Sequence, residues 1–320
     1  MLRLVILSLC AAVAYAADPA AAQDYPTRPV RIVFPLAAGG GGDVFTRALA
    51  DELQKAWHQP VVVENRPGGG QNIGARACAE AAPDGYTICV MSSEPTVYNQ
   101  YLYKSIPYDP EKDFQPIANL FFNTLAVVAN GELKVRTFAE LLALAKTKPG
   151  TMSYATFSYP LTYFMERLKK AEGIDIVKVP YRGGGEVVNA LLGGSLQMAL
   201  LALSNMVPQL QSGRITPLAV VANARSPLFP DVPTLKEARG EHYPATWFGL
   251  FTQGSVPRPI VDKIARDADR IMAEPAFRQR IYIDRGVEPA LERTDEFARF
   301  IAEERRLAQQ IVKASGEEPK

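Results

Sequence analysis

Short apolar runs alternate with amphipathic stretches along most of the chain. Residues 31–35 (RIVFP) and 59–64 (QPVVVE) have apolar centres typical of buried strands, and between them Phe45, Leu49 and Trp57 recur at helical spacing. A strand, a helix and a second strand within about 35 residues form a βαβ unit. This alternation predicts an α/β fold whose parallel sheet is covered by helices on both faces.

A second α/β region follows in the middle of the chain. Further strands are predicted at 86–91, 153–155, 174–180, 196–203, 217–222 and 247–252, and further helices at 75–81, 137–149, 162–171, 186–192, 259–272 and after residues 275 and 294. The simplest arrangement is two lobes with chain crossings near residues 125 and 222. We expect lobe 1 to contain residues 25–124 plus 223–320 and lobe 2 to contain residues 125–222.

Composition limits the class of protein. The chain has 320 residues, of which 48% are hydrophobic and 22% charged, and this balance excludes a polytopic membrane protein and a disordered chain. Lys and Arg number 35 against 34 Asp and Glu, so no basic surplus is available to neutralise phosphates. We therefore expect no nucleic-acid partner.

The N-terminus has the pattern of a secretory signal peptide over residues 1–16. Arg3 precedes an apolar run at 4–13, and the small-x-small sequence at 14–16 follows. Residues 17–24 are predicted to be a disordered N-terminus of the mature chain. Lipoprotein processing at Cys10 is disfavoured because Leu9 stands where a small residue is expected.

Cys78 and Cys89 remain after removal of the signal peptide, in an oxidising compartment. They form either one disulfide or two buried thiols, on a helix and on the following strand. We favour buried thiols, because one cysteine pair in a chain of this length is not a disulfide framework.

Two glycine-rich loops, one in each predicted lobe, are the strongest candidates for a binding site. The first joins a strand to a helix at residues 34–43, and the second does the same at residues 179–186. Glycines allow the backbone to approach a ligand, and free N–H groups at a helix start favour an anion. The alternatives are plain turns, with Asp43 as a helix cap and Arg182 as a surface charge. A third glycine loop at 68–70 is interpreted as a structural turn.

Catalytic signatures are missing from the sequence. His58 and His242 are the histidines of the chain, and no H-E-x-x-H, G-x-S-x-G or metal-spaced Cys/His cluster occurs. We therefore expect no catalytic residues, no metal and no cofactor.

Several short motifs together resemble the Bug family, the receptors of tripartite tricarboxylate transporters. The motifs are YPxRPVRIV at 25–33, Pro35 with GGxxD at 39–43, VVVENRPG at 61–68, NIG at 72–74, APDGYT at 82–87, PYDP at 107–110, VPY at 179–181, DVPT at 231–234 and WFG at 247–249. They cover nearly the whole mature chain. Each motif is weak alone, and their combination in this order is specific.

The resemblance implies a periplasmic, two-lobed solute receptor of the Venus-flytrap type that closes around a small carboxylate. It implies a monomer that works with transporter membrane subunits or with a sensor protein. An enzyme on the same scaffold is a further alternative. The ligand-binding residues expected from the loops and from the resemblance are Leu36, Ala37, Ala38, Gly39, Gly40, Asp43, Ser92, Ser93, Thr156, Phe157, Ser158, Tyr159, Tyr181, Arg182, Gly183 and Leu201.

Three departures from the family pattern fall in this predicted site. The usual glycine-rich stretch followed by His is shorter here, at residues 156–160, with Thr162 in place of the His; Leu201 replaces a common acid, and Glu94 replaces a common glycine. Our hypothesis is that Phe157, Tyr159 and Leu201 make the distal pocket apolar and favour an aromatic or alkyl carboxylate. The alternative is that these side chains pack in the core of the lobe.

Overall fold

The computed structural model describes residues 25–222, 224–240, 246–290 and 292–319. The predicted signal peptide, the segment 17–24 and His242 lie outside these ranges. In chain order, the strands are β1 (Val30–Phe34), β2 (Val61–Asn65), β3 (Thr87–Ser92), β4 (Phe114–Asn123), β5 (Leu125–Asn130), β6 (Met152–Ala155), β7 (Ile176–Lys178), β8 (Met198–Ala202), β9 (Ile215–Val221), β10 (Thr246–Gln253) and β11 (Val287–Pro289).

The helices alternate with these strands over most of the chain. In chain order, they are α1 (Gly41–Trp57), α2 (Asn72–Ala79), α3 (Asn99–Leu102), α4 (Phe138–Thr147), α5 (Tyr159–Glu172), α6 (Gly184–Leu192), α7 (Val207–Gln211), α8 (Leu235–Arg239), α9 (Arg258–Ala273), α10 (Pro275–Phe277) and α11 (Thr294–Ser315). A π-helical segment, Glu94–Tyr98, follows β3 directly.

The strands form two sheets, which we call lobe 1 and lobe 2 together with their covering helices. The sheet of lobe 1 has the order β11-β4-β10-β3-β1-β2, and that of lobe 2 has the order β7-β6-β8-β5-β9. The α/β, two-lobed architecture agrees with the prediction. The lobe boundaries in the sequence stay a prediction, although a single residue, Thr124, separates β4 of lobe 1 from β5 of lobe 2.

The expectation of purely parallel sheets is wrong. In lobe 1, β1 pairs in parallel with β2 and β3, but β10 is antiparallel to both β3 and β4. In lobe 2, β6 is parallel to β7 and β8, whereas β5 is antiparallel to β8 and β9. The direction changes where the chain passes between lobes, because those connections are not the helical crossovers that keep strands parallel.

Apolar side chains on both faces of each sheet form the cores. In β1, Ile32 and Phe34 pack in one cluster with α1 and α9, whereas Val33 points to the other face, toward α2 and α11. Successive side chains of a strand point to opposite faces, so a strand buried on both faces is apolar throughout. This explains why β1 is apolar except at Arg31, whose guanidinium is half-buried and bonds Glu64 and Thr87.

Cys78 and Cys89 form a disulfide, so the expectation of two buried thiols is wrong. Their placement on a helix, α2, and on the following strand, β3, agrees with the sequence, and both side chains are fully buried. Because α2 packs on the face of β3 toward which Cys89 points, the two Cα atoms lie 6.2 Å apart, within bonding range. The number of cysteines could not decide this, since the pairing depends on side-chain direction.

Candidate functional site

The glycine loop of lobe 1 joins β1 to α1 over residues 36–43. Gly39 adopts a left-handed conformation with φ of 89°, which favours glycine. Asp43 closes the loop: its carboxylate accepts hydrogen bonds from the Gly39 N–H at 3.0 Å, from Asn65 Nδ2 at 2.8 Å and from Arg47 Nε at 3.0 Å. Burial raises the pKa of Asp43, but these hydrogen bonds outweigh it and the net pKa is lowered. Asp43 therefore holds the loop as a fully partnered anion.

Several hydrogen bonds between described residues cross directly from one lobe to the other. The Gly41 N–H donates to Asn205 Oδ1 at 2.8 Å, and the Ala37 N–H donates to the backbone oxygen of Arg182 at 3.2 Å. On the other side of the cleft, the Tyr159 N–H donates to Glu94 Oε1 at 3.0 Å. The two lobes are thus in contact, in a closed arrangement.

Close packing at Gly41 explains one glycine of the run. A Cβ atom at Gly41 would collide with the Cβ and Oγ atoms of Ser204, which lies on the opposite lobe. Only a residue without a side chain lets the start of α1 approach lobe 2 so closely.

The cleft contains an inner cavity of about 80 Å³ and an outer cavity of about 320 Å³. Five residues line both cavities and form what we call the partition: Leu36, Gln71, Glu94, Phe157 and Ser158. The inner cavity has a largely apolar wall. Its apolar side chains are Phe34, Leu36, Ala37, Leu125, Phe157, Leu161, Leu200, Leu201, Ala202, Trp247 and Phe248.

The outer cavity carries most of the charge near the cleft. Lys178 and Arg182 line it from lobe 2, and Glu317 and Glu318 line it from the segment after α11. The two cavities therefore differ in chemistry although they share the partition.

Three helices begin at the cleft without a cap from their own N-cap side chain. Their N-cap residues are Gly40 for α1, Ser158 for α5 and Gly183 for α6, and none makes a side-chain capping hydrogen bond. The first N–H groups of α1 and α5 are instead bonded across the cleft, to Asn205 Oδ1 and Glu94 Oε1. A helix N-terminus carries a partial positive charge that favours an anion, so the three helix starts bring such charge to one cleft.

Two buried hydroxyl groups in the wall have no hydrogen-bond partner among the described residues. Ser158 Oγ belongs to the partition, and Thr156 Oγ1 faces the outer cavity; each residue is more than nine-tenths buried. A buried polar group left unpaired costs about 1–3 kcal/mol. Such groups at a cavity are typical of a site that acquires its hydrogen bonds from a ligand.

Glu94 is the buried acid of the partition. It begins the π-helical segment, its N–H donates to Ser92 Oγ at 3.3 Å, and Ser92 Oγ in turn donates to Gln71 Oε1 at 2.8 Å. Burial raises the pKa of Glu94 to about 7, against the opposing effects of the hydrogen bond from Tyr159 and the charge of Lys178. This carboxyl group therefore titrates near neutral pH.

Most of the residues expected from the sequence lie at the cleft. Those lining the inner cavity are Leu36, Ala37, Gly40, Asp43, Ser92, Ser93, Phe157, Ser158 and Leu201, and those lining the outer cavity are Leu36, Thr156, Phe157, Ser158, Tyr159, Tyr181 and Arg182. Ala38, Gly39 and Gly183 line neither cavity. Instead, Gly183 packs against Ala37, and the backbone of 38–39 packs against Gly185, where the two glycine loops meet.

The three residues of the apolar-pocket hypothesis have different surroundings. Leu201 and Phe157 line the inner cavity, and both also pack against the core of lobe 2. Tyr159 instead packs in a lobe 1 cluster, with its ring centroid 6.0 Å from that of Tyr98 and its hydroxyl donating to Ser315 Oγ at 2.9 Å. Phe157 and Leu201 thus line the inner cavity and pack in the core of lobe 2 at the same time.

Arg182 is exposed, and its backbone makes its cleft contacts. Its carbonyl oxygen accepts the Ala37 N–H, and its own N–H donates to Glu186 Oε2 at 2.9 Å. The guanidinium of Arg182 is therefore better described as a surface charge than as a partner for a carboxylate in the inner cavity.

Several residues that line the inner cavity are not among the ligand-binding residues expected from the sequence. They include Gly41, Gly42, Gln71, Glu94, Asn123, Leu161, Gly184, Leu200, Asn205, Thr246 and Phe248. The glycine runs and the departure at Glu94 were available signals. Nothing in the sequence near Asn205 singles it out, because its role depends on the approach of the opposite lobe.

Comparison with known proteins assigns the class. The family model "Tripartite tricarboxylate transporter family receptor" matches residues 45–316, and the chain belongs to this family of periplasmic solute-binding receptors. It is 31% identical to protein BugT of Bordetella pertussis over 317 residues, which cover 98% of this chain and 97% of BugT.

Two similar solved structures contain carboxylates. Rpa4515 of R. palustris with adipate has a TM-score of 0.86 at 27% identity, covering 92% of this chain and 100% of that one. MatC of Rhodopseudomonas palustris with bound malate has a TM-score of 0.82 at 28% identity, covering 90% of this chain and 100% of that one. The family prediction made from the motifs is therefore confirmed.

Two kinds of feature are absent from the described ranges. No helix in them has the length and apolar character needed to cross a bilayer. The same ranges contain no group of three or more His, Cys, Asp or Glu residues arranged to hold a metal ion.

Proposed function

We propose that this protein is a monomeric periplasmic receptor for a small carboxylate with an apolar body, which it delivers to transporter membrane subunits. The observation that carries the proposal is the unpartnered, buried hydroxyl of Ser158, the N-cap residue of α5. A carboxylate accepts hydrogen bonds from such hydroxyls and from helix N–H groups. The binding of adipate and malate by the similar receptors Rpa4515 and MatC supports the same ligand class.

The apolar wall of the inner cavity supports an apolar body for the ligand. Phe157, Leu161 and Leu201 offer no hydrogen bonds from their side chains, so a hydrocarbon group is the complementary occupant. The expectation of an aromatic or alkyl carboxylate therefore stands as part of the proposal.

Both lobes are needed for useful affinity. Micromolar binding requires about 8 kcal/mol, whereas a helix N-terminus contributes roughly 0.3–2 kcal/mol and a hydrogen bond to a charged group about 1.5–3 kcal/mol. Several contacts from the two sides must therefore act together. We infer that residues 25–124 with 223–320 close as one body on residues 125–222, with the ligand stabilising the closed form.

A receptor without turnover is the simplest account of the site. The acid that contacts the glycine loop, Asp43, is held by three donors, and His58 is exposed at the far end of α1. Export by the predicted signal peptide at residues 1–16 belongs to the same proposal.

Thermal unfolding with a panel of carboxylates tests this function. The panel is hexanoate, benzoate, adipate, malate and glutamate. A ligand at about 100 times its Kd stabilises the protein by about 2.7 kcal/mol, which raises the Tm by roughly 5–10 °C. No shift with any carboxylate contradicts the proposal, and NMR detection of ligand turnover contradicts the absence of catalysis. Ligand-dependent capture of a purified sensor domain would favour the signalling alternative.

Ser158→Ala then tests the observation that carries the proposal. We expect the Kd for the best carboxylate to rise about 10- to 100-fold, the loss of one hydrogen bond to a charged group. The ligand-free Tm should be unchanged or higher, because an unpaired buried hydroxyl is removed. Ser195→Ala, an exposed serine outside both cavities, is the matched control. An unchanged affinity in Ser158→Ala contradicts the assignment.

A further inference from the structure

Glu94 caps a helix of the opposite lobe. Its carboxylate belongs to lobe 1 and accepts the N–H of Tyr159, the first residue of the 14-residue helix α5. The N-cap residue of that helix, Ser158, makes no side-chain cap. The electropositive end of α5 therefore already faces an anionic group supplied by the chain itself.

An independent feature marks the same point as part of a ligand site. Ser158 is 93% buried and lines both cavities beside Glu94. Its Oγ has no hydrogen-bond partner among the described residues. Glu94 also lines both cavities. A ligand that reaches the Ser158 hydroxyl must therefore approach the Glu94 carboxyl group.

The charged and titratable groups around Glu94 come from several elements. Lys178 at the end of β7 and Arg182 line the outer cavity, which also carries the acids Glu317 and Glu318. The phenols that interact electrostatically with Glu94 are those of Tyr98, Tyr103 and Tyr108, and Tyr159 supplies the N–H. The cations Lys178 and Arg182 are both exposed. Near the partition, a second carboxylate on the ligand would thus meet the carboxyl group of Glu94 and, among the described residues, no buried cation.

We propose that Glu94 supplies from within the chain the second carboxylate of this site, so that the cleft selects ligands with one carboxylate over dicarboxylates. The proposal rests on the proposed carboxylate-receptor function. One carboxylate of a ligand has the glycine loop and the hydroxyl groups as partners, which offset its repulsion by Glu94, and the apolar body has the inner cavity. A second carboxylate finds the start of α5 occupied by Glu94 and meets the same repulsion without those hydrogen bonds.

Matched ligand pairs test this selection. Hexanoate and adipate have the same carbon number and differ by one carboxylate. Benzoate and terephthalate have the same ring and differ by one carboxylate. Isothermal titration at pH 8 with purified protein should show at least about 10-fold weaker binding of the dicarboxylate in the better-binding pair. In Glu94→Gln, which keeps an acceptor for the Tyr159 N–H, the ratio of the two Kd values should fall about 10-fold.

Two controls isolate the effect of Glu94. Glu318→Gln removes the same charge from an exposed position at the outer cavity, and should leave the ratio unchanged. In the wild type, dicarboxylate affinity should weaken from pH 6 to pH 8 more than monocarboxylate affinity, a measurement that needs no variant.

The outcomes separate the two proposals. Equal or tighter dicarboxylate binding by the wild type, or a ratio that Glu94→Gln leaves unchanged, overturns the selection by Glu94 and leaves the receptor function standing. Failure of all four probes to bind overturns both proposals.

Discussion

Gly41→Ala should block closure of the cleft without weakening either lobe. The added Cβ would collide with the Cβ and Oγ atoms of Ser204, and Gly41 and Ser204 belong to opposite lobes. Rotation about χ1 moves the Ser204 hydroxyl but not its Cβ, so the lobes must stay apart or shift. Overpacking of this kind costs about 1–3 kcal/mol, which corresponds to a Kd weakened about 5- to 150-fold. Within lobe 1, alanine favours helix α1 over glycine.

The assay combines titration calorimetry with thermal unfolding. The carboxylate with the largest thermal shift should bind Gly41→Ala more weakly, while the ligand-free Tm stays at or above the wild-type value. Adding Ser204→Gly removes the opposing side chain and should restore most of the affinity, with Ser204→Gly alone as the control for the double-mutant cycle. Wild-type affinity in Gly41→Ala, or no rescue by the second substitution, would refute the reasoning.

Three further predictions concern stability. Replacing Cys78 and Cys89 by alanine opens a loop with a sequence separation of 11, so the free energy of unfolding in urea should fall by about 3 kcal/mol; a loss below about 1 kcal/mol contradicts this. Asp43→Asn should destabilise the protein at pH 7 but much less at pH 3. The pKa of Asp43 is lowered by folding, so its contribution is present above the unfolded value of about 3.9 and lost as the pH falls through the folded value; equal destabilisation at both pH values is the contrary result. The pKa of Glu94 is raised to about 7, so its contribution is complete below the unfolded value of about 4.3 and lost as the pH rises through 7. The free energy of unfolding of the wild type, relative to that of Glu94→Gln, should therefore decline between pH 5 and pH 8 in denaturant titrations. A difference that does not change with pH contradicts the burial of this acid.

Secondary structure near the cleft was predictable where the local signal was strong. The strand β1 and the helix α1 are separated by the glycine run, and both were expected close to their actual positions. Helix α5 begins three residues earlier than expected, at Tyr159, because Pro160 in its first turn has a backbone conformation that suits a helix start. The strands β4 and β5 were not predicted, since a single residue divides them and the break in hydrophobicity there is slight.

The sequence by itself determined the fold class, the family and the two glycine loops, because periodicity, turn residues and motif order are local properties of the chain. Only the tertiary structure decided which groups face one another across the cleft. The bond between Cys78 and Cys89, the contact of Gly41 with lobe 2 and the capping of α5 by Glu94 join residues whose separation in space depends on the packing of sheets and lobes. Glu94 and Tyr159 are 65 residues apart in the chain, so no local pattern relates them.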